Sequence, residues 1–184
     1  MRWRSSILLG PACLALLAAL PERVRARVAQ ARWPGRYEWV DDGRYCFDVA
    51  HNPDGVAALC AALVAAKRAP GALVFGASSD KDWRAMLDEL GAVVPPAGWF
   101  LCAAGLARAE RPEVLAAHRG GAPCDSVTEA VTRANERAGN THARGAPVLV
   151  CGSVFVVGEA RAFVLGERTD PPAPRPASRV SCRA

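Results

Sequence analysis

Short apolar runs alternate with amphipathic segments from residue 37 to residue 166, and this alternation constrains the fold more than any other feature. The apolar runs have the length of buried strands and are rich in Val, Leu, Phe and Cys. The intervening segments place apolar residues three and four positions apart, which is typical of helices packed on a sheet. The sequence therefore predicts an α/β fold, with a mostly parallel sheet and helices on both of its faces.

Turn and capping signals give the bounds of the predicted elements. Two strands joined by the hairpin signal "DDG" come first. The predicted strands are residues 37–40, 45–49, 71–77, 98–104 and 146–153, with an edge strand or turn at 121–126. The predicted helices are residues 53–66, 78–90, 111–119, 127–138 and 154–166. Asn52 is expected to cap the first of these helices, because Pro53 then takes the first helical position.

Three polar segments follow predicted strands, and each leads into a predicted helix. They read "DVAHN", "GASSDKD" and "CGS". Because the carboxyl ends of parallel strands meet at one edge of the sheet, and ligands bind beyond that edge, these segments carry the candidate site.

Each candidate side chain has a functional and a structural interpretation. His51 can contact a phosphate or carboxylate or move a proton, or it can bond to a neighbouring loop. Asp48 can accept from a ribose, or it can hold a turn. Lys81 can meet a phosphate, or it can be solvated, while Asp82 belongs to the group from which a helix cap is expected. Ser153 can cap its helix, bind an anionic ligand together with backbone N–H groups, or do both.

Several classes of site are excluded or disfavoured. The sequence contains neither G-x-x-x-x-G-K-[ST] nor G-x-G-x-x-G. No two of the seven Cys are spaced as C-x-x-C, and the three His form no metal constellation, so no metal site is predicted. The formal net charge of +5 comes mostly from scattered Arg residues, so neither nucleic-acid binding nor membrane binding is expected.

The two ends of the chain differ from its body. Residues 1–20 imitate a secretory signal but also fit a helix with one apolar face, and the pattern alone leaves both interpretations open. The tail at 169–184 is Pro-rich and is expected to be disordered. An odd number of Cys without a disulfide framework favours a cytoplasmic location.

Four segments in a fixed order resemble a known family. They are "RWPGRYE", "DVAHNPDG", "VFGASSDKDW" and "VLVCGSVFVVGEAR". This set is similar to the C-terminal domain of the bifunctional dihydrofolate synthase/folylpolyglutamate synthases of the Mur ligase family. The resemblance implies a Rossmann-like sheet of the Mur ligase C-terminal type over residues 32–168. It favours a helix left from a preceding central ATPase domain over a signal peptide for residues 1–31.

The resemblance also implies a reaction and roles for particular residues. Such ligases use ATP and Mg²⁺ to activate a folate or pteroate carboxylate as an acyl phosphate, which the amine of L-glutamate then attacks. Arg36 is expected to contact ATP phosphate, Asp48 the ribose, and His51 the reacting groups as the catalytic residue. Ser153 is the main candidate for glutamate binding, with Lys81 and Asp82 as weaker ones.

In this family the phosphate-binding loop and most folate contacts belong to an N-terminal ATPase domain, for which this sequence has no counterpart. The first hypothesis is therefore a truncated or split ligase that is inactive alone and depends on a separate ATPase-domain polypeptide. A second hypothesis is a stand-alone module that binds a nucleotide or an amino acid without catalysis. A third is an exported α/β domain, which the first 20 residues would support.

Overall fold

The computed structural model describes residues 19–30, 33–139 and 146–167. Residues 1–18, His142 and the Pro-rich tail, on which some of the predictions fall, lie outside these ranges. The described helices are α1 (Glu22–Gln30), α2 (Pro53–Ala65), α3 (Trp83–Leu90), α4 (Pro112–Arg119), α5 (Val127–Gly139) and α6 (Val154–Leu165). The strands are β1 (Glu38–Val40), β2 (Tyr45–Asp48), β3 (Ala72–Phe75), β4 (Trp99–Leu101), β5 (Ala122–Pro123) and β6 (Val148–Cys151).

The six strands form one sheet in the order β1-β2-β6-β3-β4-β5. Among the pairs formed by these described strands, only β1–β2 is antiparallel, and a tight turn at Asp41–Gly43 joins the two strands. The pairs β2–β6, β6–β3, β3–β4 and β4–β5 are all parallel. The prediction of a mostly parallel α/β sheet is confirmed, and β6, the last of the described strands, lies in the middle of the sheet.

Alternate residues of each central strand face opposite sides of the sheet, as the period of two in a strand requires. In β6, Val148 and Val150 point towards α5 and α6, whereas Leu149 and Cys151 point towards α2, α3 and α4. Helices therefore cover both faces, because strands that are apolar on two sides must be buried on two sides. Cys46, Cys102 and Cys151 are small core residues, and each is fully buried.

Capping residues define where the helices begin, and one helix begins later than predicted. Asn52 accepts a hydrogen bond from Gly55 N at 2.8 Å and caps α2 as predicted. The helix predicted at 78–90 begins only at Trp83, because Asp82 is its N-cap and accepts from Ala85 N. The preceding polar residues therefore form a loop at the carboxyl edge of the sheet rather than a first helical turn.

The N-terminal helix α1 is exposed where its side chains are described, from Glu22 to Arg25 and at Arg27. Within the described ranges, no helix has both the length and the apolar character that a membrane crossing requires.

Candidate functional site at the carboxyl edge of the sheet

Two of the predicted segments lie side by side because β2 and β6 are neighbours. Asp48, the last residue of β2, is paired with Cys151, the last residue of β6. Beyond the strands, Gly152 N donates to Ala50 O at 3.0 Å, so the segments that follow β2 and β6 stay hydrogen-bonded to each other. His51 and Ser153 follow immediately, each at the start of a helix. We call residues 49–52 with 152–153 the β2–β6 mouth.

Gly152 allows β6 to end very close to β3. Its φ of +104° is unfavourable for residues with a side chain, and an added Cβ would lie 2.5 Å from Phe75 Cε2 and 2.6 Å from Gly76 O. No side chain fits between these two strand ends. The glycine of "CGS" therefore has a packing role that brings the start of α6 to the centre of the carboxyl edge.

His51 is half-buried, and its ring orientation is defined by one backbone contact. Its Nδ1 lies 3.0 Å from Val49 O. Because a carbonyl oxygen only accepts, Nδ1 carries the proton in this contact, and the neutral ring then keeps its acceptor lone pair on Nε2. The arrangement gives His51 a fixed ring with an acceptor atom at the mouth.

Asp48 is only 7% exposed, and each of its carboxylate oxygens accepts a backbone hydrogen bond. The donors are Tyr37 N at 2.8 Å and Ala50 N at 2.8 Å. Burial raises the pKa of the Asp48 carboxyl, while these two donors and the nearby Arg36 act in the opposite direction. The carboxylate therefore organises the chain around the mouth; its predicted contact with a ribose stays a prediction.

Arg36 lies on a tight turn directly in front of β1. Arg36 N donates to Trp33 O at 3.1 Å, and Val49 N donates to Gly35 O at 2.8 Å. The Arg36 side chain is exposed. We call residues 33–37 the Arg36 turn. Its anchoring to Asp48 and Val49 places the turn beside the β2–β6 mouth, so the structure brings Arg36, Asp48, His51 and Ser153 into one region.

Ser153 is 8% exposed and caps α6, with its Oγ accepting from Phe155 N at 3.3 Å. A hydroxyl that accepts in a cap still has its own proton to donate. Both predicted interpretations of this residue, capping and ligand binding, are therefore compatible with one geometry.

Lys81 and Asp82 lie in a separate loop after β3, which we define as residues 76–82 and call the β3 loop. Its backbone is anchored to the chain that follows β4, with Ser79 N donating to Arg108 O at 2.9 Å. Lys81 and Asp82 are exposed, and Lys81 Nζ is 3.9 Å from Asp80 Oδ2. Asp82 caps α3, and its predicted role in glutamate binding stays a prediction.

An ion pair that was not predicted from the sequence connects two of the motif segments. Arg161 of α6 forms a two-pronged contact with Glu38 of β1, with Nε 3.0 Å from Oε2 and Nη2 3.2 Å from Oε1. A second α6 residue, Glu159, accepts from Gly105 N at 3.2 Å. Glu38 is the last residue of "RWPGRYE", and both α6 residues lie in "GEAR". The opposite charges of Glu38 and Arg161, in two segments of the family resemblance, were the sequence features that could have indicated this ion pair.

His118, to which the sequence analysis gave no role, lies away from this site and pairs with Asp88, its Nε2 being 2.9 Å from Oδ1. In the described part of the chain, no group of three or more His, Cys, Asp or Glu side chains is placed to hold a metal ion.

The fold and the order of these segments agree with one family. The domain described as "Mur ligase, glutamate ligase domain" matches residues 35–154. This match spans most of the sheet and all the candidate side chains named above. The chain belongs to the Mur ligase family through this glutamate ligase domain.

Particular relatives narrow the comparison to folylpolyglutamate synthases. A Haloferax volcanii protein named "Probable bifunctional folylpolyglutamate synthase/dihydropteroate synthase" is 36% identical over 146 residues, which are 76% of this chain and 17% of the relative. The structure of E. coli FolC in complex with ADP has a TM-score of 0.70 and 31% identity, over 83% of this chain and 38% of that one.

A second solved structure, the bifunctional folylpolyglutamate synthase/dihydrofolate synthase of Yersinia pestis complexed with AMPPNP and Mn ion, has a TM-score of 0.67 and 27% identity. The match covers 83% of this chain and 37% of the Yersinia chain. This chain therefore spans well under half the length of the relatives that it matches. The resemblance to the C-terminal domain of folylpolyglutamate synthases is confirmed.

Proposed function

We propose that this chain is the glutamate-binding part of an ATP-dependent ligase that joins L-glutamate to a folate or pteroate carboxylate. It acts with an ATP-binding domain, which a separate polypeptide or a longer form of the protein supplies. By itself the domain of residues 32–168 holds one side of the site, so we expect it to be inactive alone.

The observation that carries this proposal is the junction of β2 and β6. It places His51, Ser153 and the buried Asp48 at adjoining strand ends of the sheet. The domain that contains this sheet matches a family of glutamate ligase domains. A ligase that couples an amine to an activated carboxylate needs an acceptor for the amine proton and donors for the carboxylates of glutamate. Both kinds of group are present at the β2–β6 mouth.

His51 is assigned the proton-accepting role. The Val49 carbonyl holds the proton on Nδ1, so Nε2 is the atom that accepts a proton from the glutamate ammonium group. Glutamate must lose this proton before its nitrogen can attack. The half-buried position keeps the ring within reach of a ligand while limiting its motion.

Ser153 and Lys81 are assigned to the glutamate carboxylates. The Ser153 hydroxyl donates to one carboxylate while its oxygen caps α6, and the backbone N–H groups at that helix start favour an anion. Lys81 offers an exposed positive charge from the β3 loop. Asp82 caps the neighbouring helix and is a weaker candidate, for the amine.

Arg36 is assigned to ATP phosphate and Asp48 to the ribose. The exposed guanidinium on a held turn suits a phosphate oxygen, because charge-assisted bonds of Arg are strong and directional. Each Asp48 oxygen already accepts one backbone hydrogen bond, from Tyr37 N or Ala50 N. A hydrogen bond from a ribose hydroxyl would therefore use one of the remaining lone pairs of the carboxylate.

ATP, when bound, supplies the phosphoryl group that activates the substrate carboxylate. Neither carboxylate assigned to the site fits a resident metal, because Asp48 is engaged by backbone donors and Asp82 by a helix start. Mg²⁺ binds through one or two carboxylates together with phosphates. Its protein ligands are therefore assigned to the ATP-binding domain rather than to this chain.

The proposal is tested by supplying an ATP-binding half. The 184-residue chain is mixed with, or fused behind, the ATP-binding half of a folylpolyglutamate synthase that lacks its own C-terminal domain. We expect ATP-dependent incorporation of labelled glutamate into dihydropteroate or a folate, which neither half shows alone. Sequencing the reading frame upstream of the gene shows whether that half is encoded nearby.

His51→Ala in the active assembly tests the catalytic assignment. We expect about a hundredfold loss of kcat, the usual contribution of a positioned general base, with an unchanged circular dichroism spectrum. Wild-type turnover in this variant would remove His51 from the mechanism. Absence of ligation, with ATP or glutamate still bound by this chain alone, would favour the stand-alone binding module.

A cytoplasmic location is part of the same proposal. The five cysteines within the described ranges are unpaired and buried, which suits a reducing compartment. Recovery of a shortened form from an exported fraction would contradict this assignment.

A further inference from the structure

The Arg36 turn is held by two carboxylates, which accept from the amides on either side of Arg36. On one side Asp48 accepts from Tyr37 N. On the other, Glu38 Oε2 accepts from Gly35 N at 2.7 Å. Arg36 lies between these two anchored amides, so its backbone position is set by Glu38 and Asp48 together.

The backbone of this turn needs such anchors to keep its shape. Gly35 has a φ of +70° and Tyr37 a φ of +46°. A bulky side chain in the left-handed region costs free energy, and it persists only where surrounding contacts over-determine it. The two carboxylates provide contacts of this kind on both sides of Arg36.

Glu38 is itself held by Arg161. The fork of Arg161 contacts both carboxylate oxygens, and Arg161 Nη1 also lies 2.7 Å from Glu167 Oε2. The side chains of Glu38 and Arg161 are only 20% and 23% exposed, so water screens this pair less than it screens an open surface pair. Arg161 belongs to α6, whose first turn carries Ser153.

We propose that Glu38 and Arg161 are positioning residues that fix the Arg36 turn, and with it the Arg36 guanidinium, relative to the start of α6. The inference rests on the proposed function, in which Arg36 contacts ATP phosphate and Ser153 contacts glutamate. Neither Glu38 nor Arg161 needs to touch a ligand. The ion pair between Glu38 and Arg161 links the Arg36 turn to α6.

A simpler role for the pair would be to fasten β1 to α6 without affecting the site. Glu129 offers a matched control, because it has the same two kinds of contact in another part of the fold. It accepts from Asp125 N at 2.8 Å and pairs with Arg133 Nη1 at 3.1 Å. Glu129→Ala therefore removes an ion pair and a backbone bond away from the Arg36 turn, although its side chain and that of Arg133 are more exposed, at 39% and 41%.

The first experiment measures amide hydrogen exchange in the 184-residue chain by NMR. Glu38→Ala is expected to speed exchange at Gly35 and Tyr37 by about tenfold or more, because the turn then opens locally. Arg161→Lys, which keeps the charge but loses the fork, is expected to give a smaller increase. Glu129→Ala should leave both amides unchanged. Unaltered exchange at Gly35 in Glu38→Ala would overturn the proposal.

The second experiment uses the assembled ligase and measures KM for ATP separately from kcat. Arg36→Ala is expected to raise this KM about tenfold, and Glu38→Ala about fivefold. The double variant should be no worse than Arg36→Ala alone, because Glu38 acts through Arg36. Glu129→Ala should leave the KM for ATP unchanged.

The outcomes separate the two proposals. Independent, multiplicative effects of Arg36→Ala and Glu38→Ala would overturn the positioning role while leaving the ligase proposal intact. No effect of Arg36→Ala on an active assembly would overturn the assignment of Arg36, and the positioning role with it. If no assembly ligates, the proposed function fails, and the exchange experiment still decides whether Glu38 holds the turn.

Discussion

The β2–β6 mouth and the β3 loop lie at the same edge of the sheet but are built in opposite ways. At the mouth, buried or half-buried side chains hold the backbone, as Asp48 does for Tyr37 N and Ala50 N. In the β3 loop the backbone is held by other backbone groups, such as Arg108 O, and Lys81 is exposed. Changes to Asp48 should therefore alter stability, whereas changes to Lys81 should alter only ligand binding.

This difference has a physical origin in burial. A buried carboxylate must be satisfied by donors, and the donors that satisfy Asp48 are the amides that shape the mouth. An exposed lysine is satisfied by water and imposes no geometry on its neighbours. We therefore assign proton acceptance, which requires an atom in a fixed position, to His51 at the mouth. The contact of Lys81 with a glutamate carboxylate requires only a positive charge and is assigned to the loop.

The largest effect is expected from Gly152→Ala. The new Cβ would overlap Phe75 and the Gly76 carbonyl oxygen, and the positive φ would add strain, for a destabilisation of about 3 kcal/mol or more. Gly158→Ala in α6 is the control, because its Cβ would meet nothing within 4 Å and alanine favours helices. Urea unfolding measures both; equal stability of the two variants would refute the close contact between β6 and β3.

Asp48→Asn is expected to be the next most damaging change. An amide cannot accept from both Tyr37 N and Ala50 N, so one buried donor loses its partner at a cost of about 1–3 kcal/mol. The variant is compared with wild type by urea unfolding at neutral pH. A loss below the error of the measurement would show that the mouth does not depend on this carboxylate.

The same variant gives a pH-dependent prediction. Burial raises the pKa of Asp48 in the folded state, so the folded chain binds more protons than the unfolded chain between the two pKa values. The contribution of Asp48 to stability is therefore greatest below the unfolded pKa and decreases as pH rises through the folded pKa. The stability advantage of wild type over Asp48→Asn should narrow across this window in urea titrations at successive pH values.

Ser153 allows stability and ligand binding to be separated. Ser153→Ala loses the cap of α6 and should cost about 1 kcal/mol, whereas Ser153→Gly should cost only a few tenths of a kcal/mol. Both variants lose the hydroxyl and should raise KM for glutamate equally in the assembled ligase. If KM followed stability instead, the hydroxyl would have no direct contact with glutamate.

The smallest effect on stability is expected from Lys81→Met. An exposed side chain in the β3 loop should change the unfolding free energy by less than about 0.5 kcal/mol. Its effect should appear only as a higher KM for glutamate. A clear loss of stability would remove the distinction between the two regions.

The local sequence predicted the elements and several of their contacts. Asn52 caps its helix, α6 runs through Gly158, and the edge strand at Ala122–Pro123 lies within its predicted range. These features depend on neighbours within a few positions, so the residues concerned are adjacent in the sequence. The helix that begins at Trp83 was predicted to begin at residue 78, because several polar residues in this stretch were possible caps.

Long-range placement was decided by the tertiary structure alone. Strand β6 enters the sheet between β2 and β3, and this order brings Ser153 beside His51. It also brings Arg161 of α6 to Glu38, whereas the pairing of β1 with β2 brings Tyr37 N to Asp48. Such contacts depend on strand order and on which donors remain for a buried charge, and no local periodicity specifies either. The chain's pattern determines which segments are strands and helices, whereas the packing of these segments determines which side chains meet at the site.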